Sequence, residues 1–266
     1  MNPTCKKRLG AIRLETMKVI AQEEIAPAIF ELVLEGEMVE AMRAGQFLHL
    51  RVPDDAHLLR RPISISSINK DKKQCHLIYR IEGAGTAIFS TLRQGDTLDV
   101  MGPQGNGFDL SDLDNQSQVL LVGGGIGVPP LLEVAKEFHA RGVTVVTVLG
   151  FATKDAVILE TELAQYGQVF VTTDDGSYSI KGNVSVVIND LDSQFDAVYS
   201  CGAPGMMKYI NQTFYDHPRA YLSLESRMAC GMGACYACVL KVPDSETVSQ
   251  RVCEDGPVFR TGTVVL

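Results

Sequence analysis

Four cysteines near the end of the chain limit what it can fold into more than any other feature. Cys230, Cys235, Cys238 and Cys253 are spaced C-x4-C-x2-C-x14-C, and these four of the seven cysteines fall within the last 37 of 266 residues. This is the spacing of plant-type 2Fe–2S ligands, in which two irons take four thiolates, so four sulfurs must converge on one small volume. The close trio wraps a cluster only if the loop turns tightly. Gly231 and Gly233 permit that turn and bring backbone N–H groups toward the sulfurs. A structural zinc site is the alternative. Zinc sites favour paired knuckles, whereas this chain has one C-x2-C pair and two outliers.

The length suits about two domains with a small third. The net charge is −8, with no block of like charge, which argues against nucleic acid or an anionic membrane as partner. Lys6, Lys7, Arg8 and Arg13 make the start basic, but no apolar core follows them as in a secretory signal. No run reaches the roughly 18 apolar residues of a membrane span. The odd cysteine count does not suit a secreted disulfide framework, and the reading is a reducing cytoplasm. Cys5, in a tail, and Cys75, in or beside a strand, read as unpaired.

The texture changes twice along the chain. Up to about residue 112 it reads as short strands broken by turns: IFELVLEG, GQFLHLRV, PISISSI, CHLIYRIEG and GDTLDVMGP. Leu48, Leu50 and Val52 alternate with His49 and Arg51, the period of a half-buried strand. Strands at this spacing predict a small antiparallel barrel. From Gln118 the order becomes strand, glycine turn, helix, strand, as in QVLLV, GGGIGVPP, LLEVAKEFHARG and VTVVTVLGF. VILETELAQYG and VSVVINDL read as further helices, QVFVTT and FDAVYSCG as strands, and PGMMKYINQTFYD as a last helix opened by Pro204. This alternation predicts a doubly wound parallel sheet with ligands at the carboxyl ends of its strands. After Arg219 come YLSLES, the cysteine loop, and short strands at VLKV and near TVVL.

Five further motifs each have a chemical and a plain reading. Gly123, Gly124, Gly125 and Gly127 follow a strand and let a pyrophosphate approach the next helix, or they simply make a tight turn. The pattern departs from G-x-G-x-x-G, with Val128 and Pro129-Pro130 where a looser phosphate hold results. Arg60-Arg61-Pro62-Ile63-Ser64-Ile65-Ser66 sets an Arg beside hydroxyls, which suits the ribityl-pyrophosphate of a flavin, or it is an exposed Arg pair beside a strand. In Glu82-Gly83-Ala84-Gly85-Thr86, Thr86 caps a helix whose N–H groups suit a phosphate, or it closes an ordinary turn. Cys201-Gly202-Ala203-Pro204 lets a flat ring lie against the backbone, with Cys201 beside the reacting nicotinamide, or Cys201 is a buried thiol. Thr173-Asp174-Asp175-Gly176-Ser177 offers a carboxylate to ribose hydroxyls, or it is an Asx turn.

The order of these motifs resembles the ferredoxin–NADP reductase superfamily, in which a barrel binds FAD and an α/β domain binds NAD(P)H. The C-terminal ESRMACGMGACYACV and VCEDGPVF, with RPIS, GGGIGVPPL, TDDGS and CGAP, resemble the electron-transfer subunits of two-subunit, NAD-linked dihydroorotate dehydrogenases from about residue 14 onward. The resemblance implies a tail at 1–13, an FAD-binding barrel at 14–112, an NAD-binding α/β domain at 113–218 and a 2Fe–2S domain at 219–266. It implies FAD contacts at Arg61, Pro62, Ile63, Ser64, Ile78, Tyr79, Arg80, Gly85 and Thr86. NAD contacts are implied at the glycine turn, Cys201 and Gly202, and cluster ligands at the four cysteines. Asp174, where the superfamily's 2′-phosphate-binding residues lie, favours NAD over NADP. The implied partner is a catalytic subunit that carries FMN and oxidises dihydroorotate, with two copies of each subunit. A related reductase subunit serving a hydrogenase or a ferredoxin–NADP transhydrogenase is the alternative.

Overall fold

The computed structural model describes residues 12–191 and 194–266. The expected tail, with Cys5, lies outside the described residues except for Ile12 and Arg13, and Arg13 already opens the first strand. Six antiparallel strands close a barrel: β1 (Arg13–Ala26), β2 (Ile29–Glu35), β3 (Phe47–Leu50), β4 (Arg61–Asn69), β5 (Gln74–Arg80) and β6 (Thr97–Gln104). Their order is β1-β2-β5-β4-β3-β6. Alternate residues fill the interior, among them Met17, Val19, Leu32, Leu34, Leu48, Leu50, Ile65 and Leu77. The helix α1 (Ala84–Phe89) sends Phe89 into the same core.

The second half is a seven-stranded sheet built from β7 (Gln118–Gly124), β8 (Thr144–Phe151), β9 (Gln168–Thr173), β10 (Ile180–Lys181), β11 (Ala197–Cys201), β12 (Ala220–Ser223) and an edge strand near the C-terminus. The helices are α2 (Pro130–Ala140), α3 (Glu160–Ala164), α4 (Val184–Asp190) and α5 (Pro204–Thr213). The cysteine lobe adds the hairpin β13 (Val239–Lys241) and β14 (Ser249–Arg251), and β15 (Val258–Arg260) is that edge strand. The sheet runs β10-β9-β8-β7-β11-β12-β15, parallel except where β15 meets β12. The segment after residue 219 is therefore stitched into the sheet at both ends, with the cysteine lobe between β12 and β15.

Three local expectations are corrected. The helix expected over VILETELAQYG is only α3, because Leu159 sits in the left-handed region at φ 62° and blocks its extension toward the N-terminus. No strand forms at TVVL. Val258–Arg260 takes the edge of the sheet instead, and Val265 gives a single backbone bond to Lys241. Thr86 is not the cap of α1, since Gly83 holds that place. The Thr86 hydroxyl accepts from the N–H groups of Glu82 and Gly83 at 3.0 and 3.2 Å.

Barrel and sheet are pinned by buried polar contacts. Glu133 of α2 is buried and accepts the Ile68 N–H at 2.8 Å, while Lys136 donates to the Ile68 carbonyl at 2.7 Å. The buried Tyr199 ring lies edge-on to Phe108, and its hydroxyl donates to the Asp109 carbonyl at 2.8 Å. Among the described residues no helix is long and apolar enough to cross a membrane.

Candidate electron-transfer site

The cysteine loop is shaped to hold sulfur. Gly231, Gly233 and Tyr236 all have positive φ, at 68°, 79° and 56°, so the backbone curls around the thiols. Met232 and Cys235 each direct a backbone N–H at Cys230 Sγ from 3.4 Å, and Gly233 directs one at Cys253 Sγ from 3.1 Å. Cys238 and Cys253 are buried, with sulfurs 3.3 Å apart. Arg251 braces the loop by donating to the Gly233 carbonyl at 2.9 Å, pairing with Asp255 and lying over the Tyr236 ring.

These surroundings treat the thiols differently. Burial works to raise Cys230, but the N–H groups of Met232, Cys235 and Ala234 outweigh it and bring the thiol down to about 7. Burial pushes Cys253 up to about 12, Cys238 adds to the rise, and the Gly233 N–H opposes it. The loop N–H groups thus favour a thiolate at Cys230, whereas burial opposes one at Cys253. A two-iron cluster divides four sulfurs between two metals, and the four cysteines with the N–H donors around them fit that group.

The loop is pressed against one outer wall of the barrel. Leu48 and Leu50 of β3 point inward, while Phe47 belongs to the buried cluster on the other side that also includes Cys238 and Cys253. Across the ladder Pro62 stands opposite His49 and Ser64 opposite Phe47. On the other side Gln104 stands opposite Phe47, with a register shift before His49 meets Met101. Directly opposed residues share a face, so Pro62 and Ser64 lie on the same wall as His49 and Phe47. Gly231 closes over this wall. A Cβ there would lie 2.5 Å from His49 Nδ1 and 2.8 Å from Gln104 Oε1. Burial first of all lowers His49 to about 4, so its imidazole is neutral.

The flavin-motif residues divide by position. A Cβ on Gly85 would come within 2.7 Å of Arg61 Nε, so the bare glycine lets the guanidinium lie on the first turn of α1. The N–H groups of Ala84, Gly85 and Thr86 have no intrahelical carbonyl there. Guanidinium and N–H groups together make an anion cradle. Ile63 leans on the barrel core, and Ile78 packs toward the α/β domain. Tyr79 is turned into the barrel, stacked on Phe30 with its hydroxyl on Gln22, so only its backbone is left to a ligand. Arg80 is exposed and bonded to Glu82. Several buried polar atoms on or beside this barrel wall lack a partner, namely both ring nitrogens of His49, Ser66 Oγ and Gln104 Oε1.

In the glycine turn the expected roles separate. A Cβ on Gly127 would lie 2.5 Å from the Cys201 carbonyl and from Gly202, and one on Gly124 would strike Met206. Gly123 is crowded by Val128 and Leu131, and Gly202 by Met206 and Gly124. Gly124, Gly127 and Gly202 allow the turns after β7 and β11 to touch, while Gly123 lets its own turn fold back against the start of α2. Gly125 alone has φ 53° and nothing within 4 Å of a Cβ. The helix start is a poor phosphate site: Pro129 and Pro130 have no N–H, and those of Val128, Leu131 and Leu132 are already bonded. Cys201 keeps part of its surface open at the end of β11, but burial of the thiol pushes it up to about 12 against the pull of Ser223. It is a neutral wall residue. Asp174 is exposed after β9, whereas Asp175 makes the Asx turn with Ser177 at 2.9 Å.

A barrel carrying an anion cradle of guanidinium and backbone N–H groups, joined to a parallel sheet and a four-cysteine loop, defines an oxidoreductase of the flavin and iron–sulfur electron-transfer class. The model of the oxidoreductase FAD-binding domain matches residues 15–108, and that of the iron–sulfur cluster binding domain of dihydroorotate dehydrogenase B matches residues 225–265. The chain is 94% identical over 255 residues to the dihydroorotate dehydrogenase B (NAD(+)) electron transfer subunit of Streptococcus pneumoniae strain R6, covering 96% of this chain and 100% of that one. It is 50% identical over 257 residues to the subunit of that name from a Geobacillus species, covering 96% and 100%. A solved NADH-dependent reduced ferredoxin–NADP oxidoreductase superposes with TM-score 0.83 at 29% identity, covering 94% of this chain and 90% of that one. The chain belongs to the family of dihydroorotate dehydrogenase B electron transfer subunits.

His49, Gln104 and the Arg251–Asp255 brace were missed by sequence reasoning. The polar–apolar alternation around His49 was visible, but it reads the same whether a polar face meets water or another part of the chain.

Proposed function

We propose that the chain passes electrons between NAD+ and a separate FMN-bearing subunit that oxidises dihydroorotate, by way of the 2Fe–2S cluster and FAD. The setting is pyrimidine synthesis toward UMP in the cytoplasm, with two copies of each subunit. The observation that carries this reading is the single barrel wall shared by the Pro62–Ser64 stripe and the cysteine loop, which supports a flavin and a cluster held side by side. FAD supplies the exchange between two-electron hydride chemistry and one-electron transfer.

The chain's own residues hold and exclude. Arg61 and the first turn of α1 grip the pyrophosphate, and Ser64 and Pro62 border the ring. Gly125 and Gly202 admit the nicotinamide nucleotide beside the neutral Cys201 thiol. Asp174 accepts from ribose hydroxyls and repels a 2′-phosphate. No described side chain at this site is asked to carry a proton. Holding the donor and acceptor groups in register is the protein's contribution.

The test is purification of the tagged chain from its native cells. NAD+ reduction on addition of dihydroorotate, with an FMN-bearing chain in the preparation, supports the reading. The chain alone is expected to reduce artificial acceptors with NADH and to leave dihydroorotate untouched; dihydroorotate turnover by the pure chain overturns the division of labour. The likeness to the ferredoxin–NADP oxidoreductase favours a second reading, a reductase subunit for another partner. A flavin-coloured preparation inert to dihydroorotate would select it.

A further inference from the structure

The end of β4 needs a partner that no strand provides. β3 runs beside β4 only from Arg61 to Ser64, and one further bond joins the Ile65 N–H to the Gln46 carbonyl. Past that point β5 still pairs with one side of β4, with Ile68 opposite Cys75, while among the described residues no strand pairs with the other side. The Ile68 N–H and C=O both face that open side, as the two groups of one residue in an antiparallel strand do. Two side chains of α2 meet them. Glu133, only 5% exposed, accepts the N–H at 2.8 Å, and Lys136 donates to the C=O at 2.7 Å. The two stand three residues apart on one helical face and pair with each other at 3.2 Å.

The pair sits where it can set more than the fold. Its helix begins just after the glycine turn, and the strand it grips begins with the Arg61-Pro62-Ile63-Ser64 stripe. The turn itself, at Gly125–Gly127, lies against β5, the strand that ends in Ile78, Tyr79 and Arg80. At its far end α2 is tied separately, by Arg141 to the Leu110 carbonyl. Without the Ile68 contacts the helix keeps that tie, while its first turn, and the glycine turn ahead of it, can pivot away from the barrel. A partly buried charged pair adds little net stability over apolar packing of the same size. It does add direction, because two bonds to one residue fix both distance and tilt.

We propose that Glu133, aided by Lys136, is a positioning residue for hydride transfer that holds the nicotinamide turn at stacking distance from the flavin strand. Neither side chain touches the reacting atoms or takes a proton. Both act through the first turn of α2. A misplacement of about 1 Å between hydride donor and acceptor can cost about a hundredfold in rate, so a small pivot of this helix is enough to matter. This rests on the FAD and NAD reading given above.

The experiment compares Glu133→Leu, Glu133→Gln and Lys136→Met with the wild-type full chain, each reconstituted with FAD and iron–sulfide. FAD content, Tm and amide exchange at Ile68 are measured first. NADH is then mixed in anaerobically at saturating concentration, and two signals are followed: the long-wavelength charge-transfer absorbance of a nicotinamide stacked on flavin, and the rate of flavin bleaching. A wild-type chain that takes up no FAD, or whose FAD is not bleached by NADH, refutes the underlying reading, separately from this proposal. Glu133→Leu is expected to lose exchange protection at Ile68 and most of the charge-transfer band, and to bleach about tenfold more slowly. Glu133→Gln keeps a carbonyl for the Ile68 N–H and is expected to stay within about threefold of the wild type. Lys136→Met removes a side chain that is 39% exposed and is expected to slow bleaching about threefold. A loaded Glu133→Leu protein with a lowered Tm but the wild-type band and rate overturns the proposal, because the pair would then only stabilise. An equal loss in Glu133→Gln overturns it too, since the bond to Ile68 would not be the cause. Should Glu133→Leu fail to load, Lys136→Met decides: a weakened band with slower bleaching supports the role, and wild-type behaviour overturns it.

Discussion

The molecule has two glycine-rich turns that look alike in sequence and differ in what their glycines do. In GGGIG the crowded residues are Gly123, Gly124 and Gly127; the missing side chains of Gly124 and Gly127 let the turn after β7 rest on the segment after β11, and that of Gly123 makes room for Val128 and Leu131. In ACGMGAC both glycines have positive φ and also lie under close neighbours, His49 and Gln104 for Gly231 and Glu254 and Arg251 for Gly233. The first turn uses glycine mainly to bring two strand ends together, with Gly125 alone left open. The second uses it to turn N–H groups toward sulfur and to seat the loop on the barrel. A ligand therefore meets few donors at the first turn, whereas the second has its donors fixed in advance.

The largest effect should come from removing a sulfur. Cys235→Ser is expected to abolish the cluster's EPR signal and coupling to a partner subunit, while NADH still bleaches the flavin. Partner-coupled turnover in that variant would place the electron path elsewhere. The next effect sharpens the difference within the first turn. Gly127→Ala forces a Cβ into backbone 2.5 Å away, a clash that should cost about 3 kcal/mol and lower the Tm by several degrees. Gly125→Ala adds a Cβ in open space and bears only the left-handed backbone penalty of about 1 kcal/mol. It should instead raise the KM for NADH. Thermal melts and NADH kinetics on both variants separate packing from ligand approach; equal melting losses would erase the distinction.

What was legible in the sequence follows from how local each determinant is. The four ligands lie in one short stretch with characteristic spacing, so the cluster could be read directly. The barrel strands showed their period of two, and α2 showed its apolar face. The face of β3 that carries His49 could not be assigned, because the alternation of a half-buried strand does not say what covers its polar side. Glu133 was hidden for a related reason: a charged residue at an apolar helical position is buried only because the end of β4 supplies its N–H donor. The strand at Val258–Arg260 displaced the more β-branched TVVL because the open edge at β12 is reached from the end of the cysteine lobe. Such placements are set by long-range pairing, and local propensity carries little information about them.

The smallest expected effect lies farthest from the cluster. Asp174 is exposed at the end of β9, and Asp175 beside it forms the turn with Ser177. If Asp174 discriminates by charge, Asp174→Ala should narrow the preference for NADH over NADPH by about threefold to fivefold at low salt, the scale of an exposed charge interaction. The effect should shrink as ionic strength rises, since salt screens an exposed carboxylate. Asp175→Ala is the control, because it removes the Ser177 bonds yet leaves the carboxylate at position 174 in place. The ratio of kcat/KM for the two nucleotides is the quantity to measure. An unchanged ratio in Asp174→Ala, or an equal change in Asp175→Ala, would move cofactor choice away from this carboxylate. The buried contacts of the cysteine loop should show no comparable salt dependence in cluster retention, because charges and N–H donors enclosed by protein are little screened.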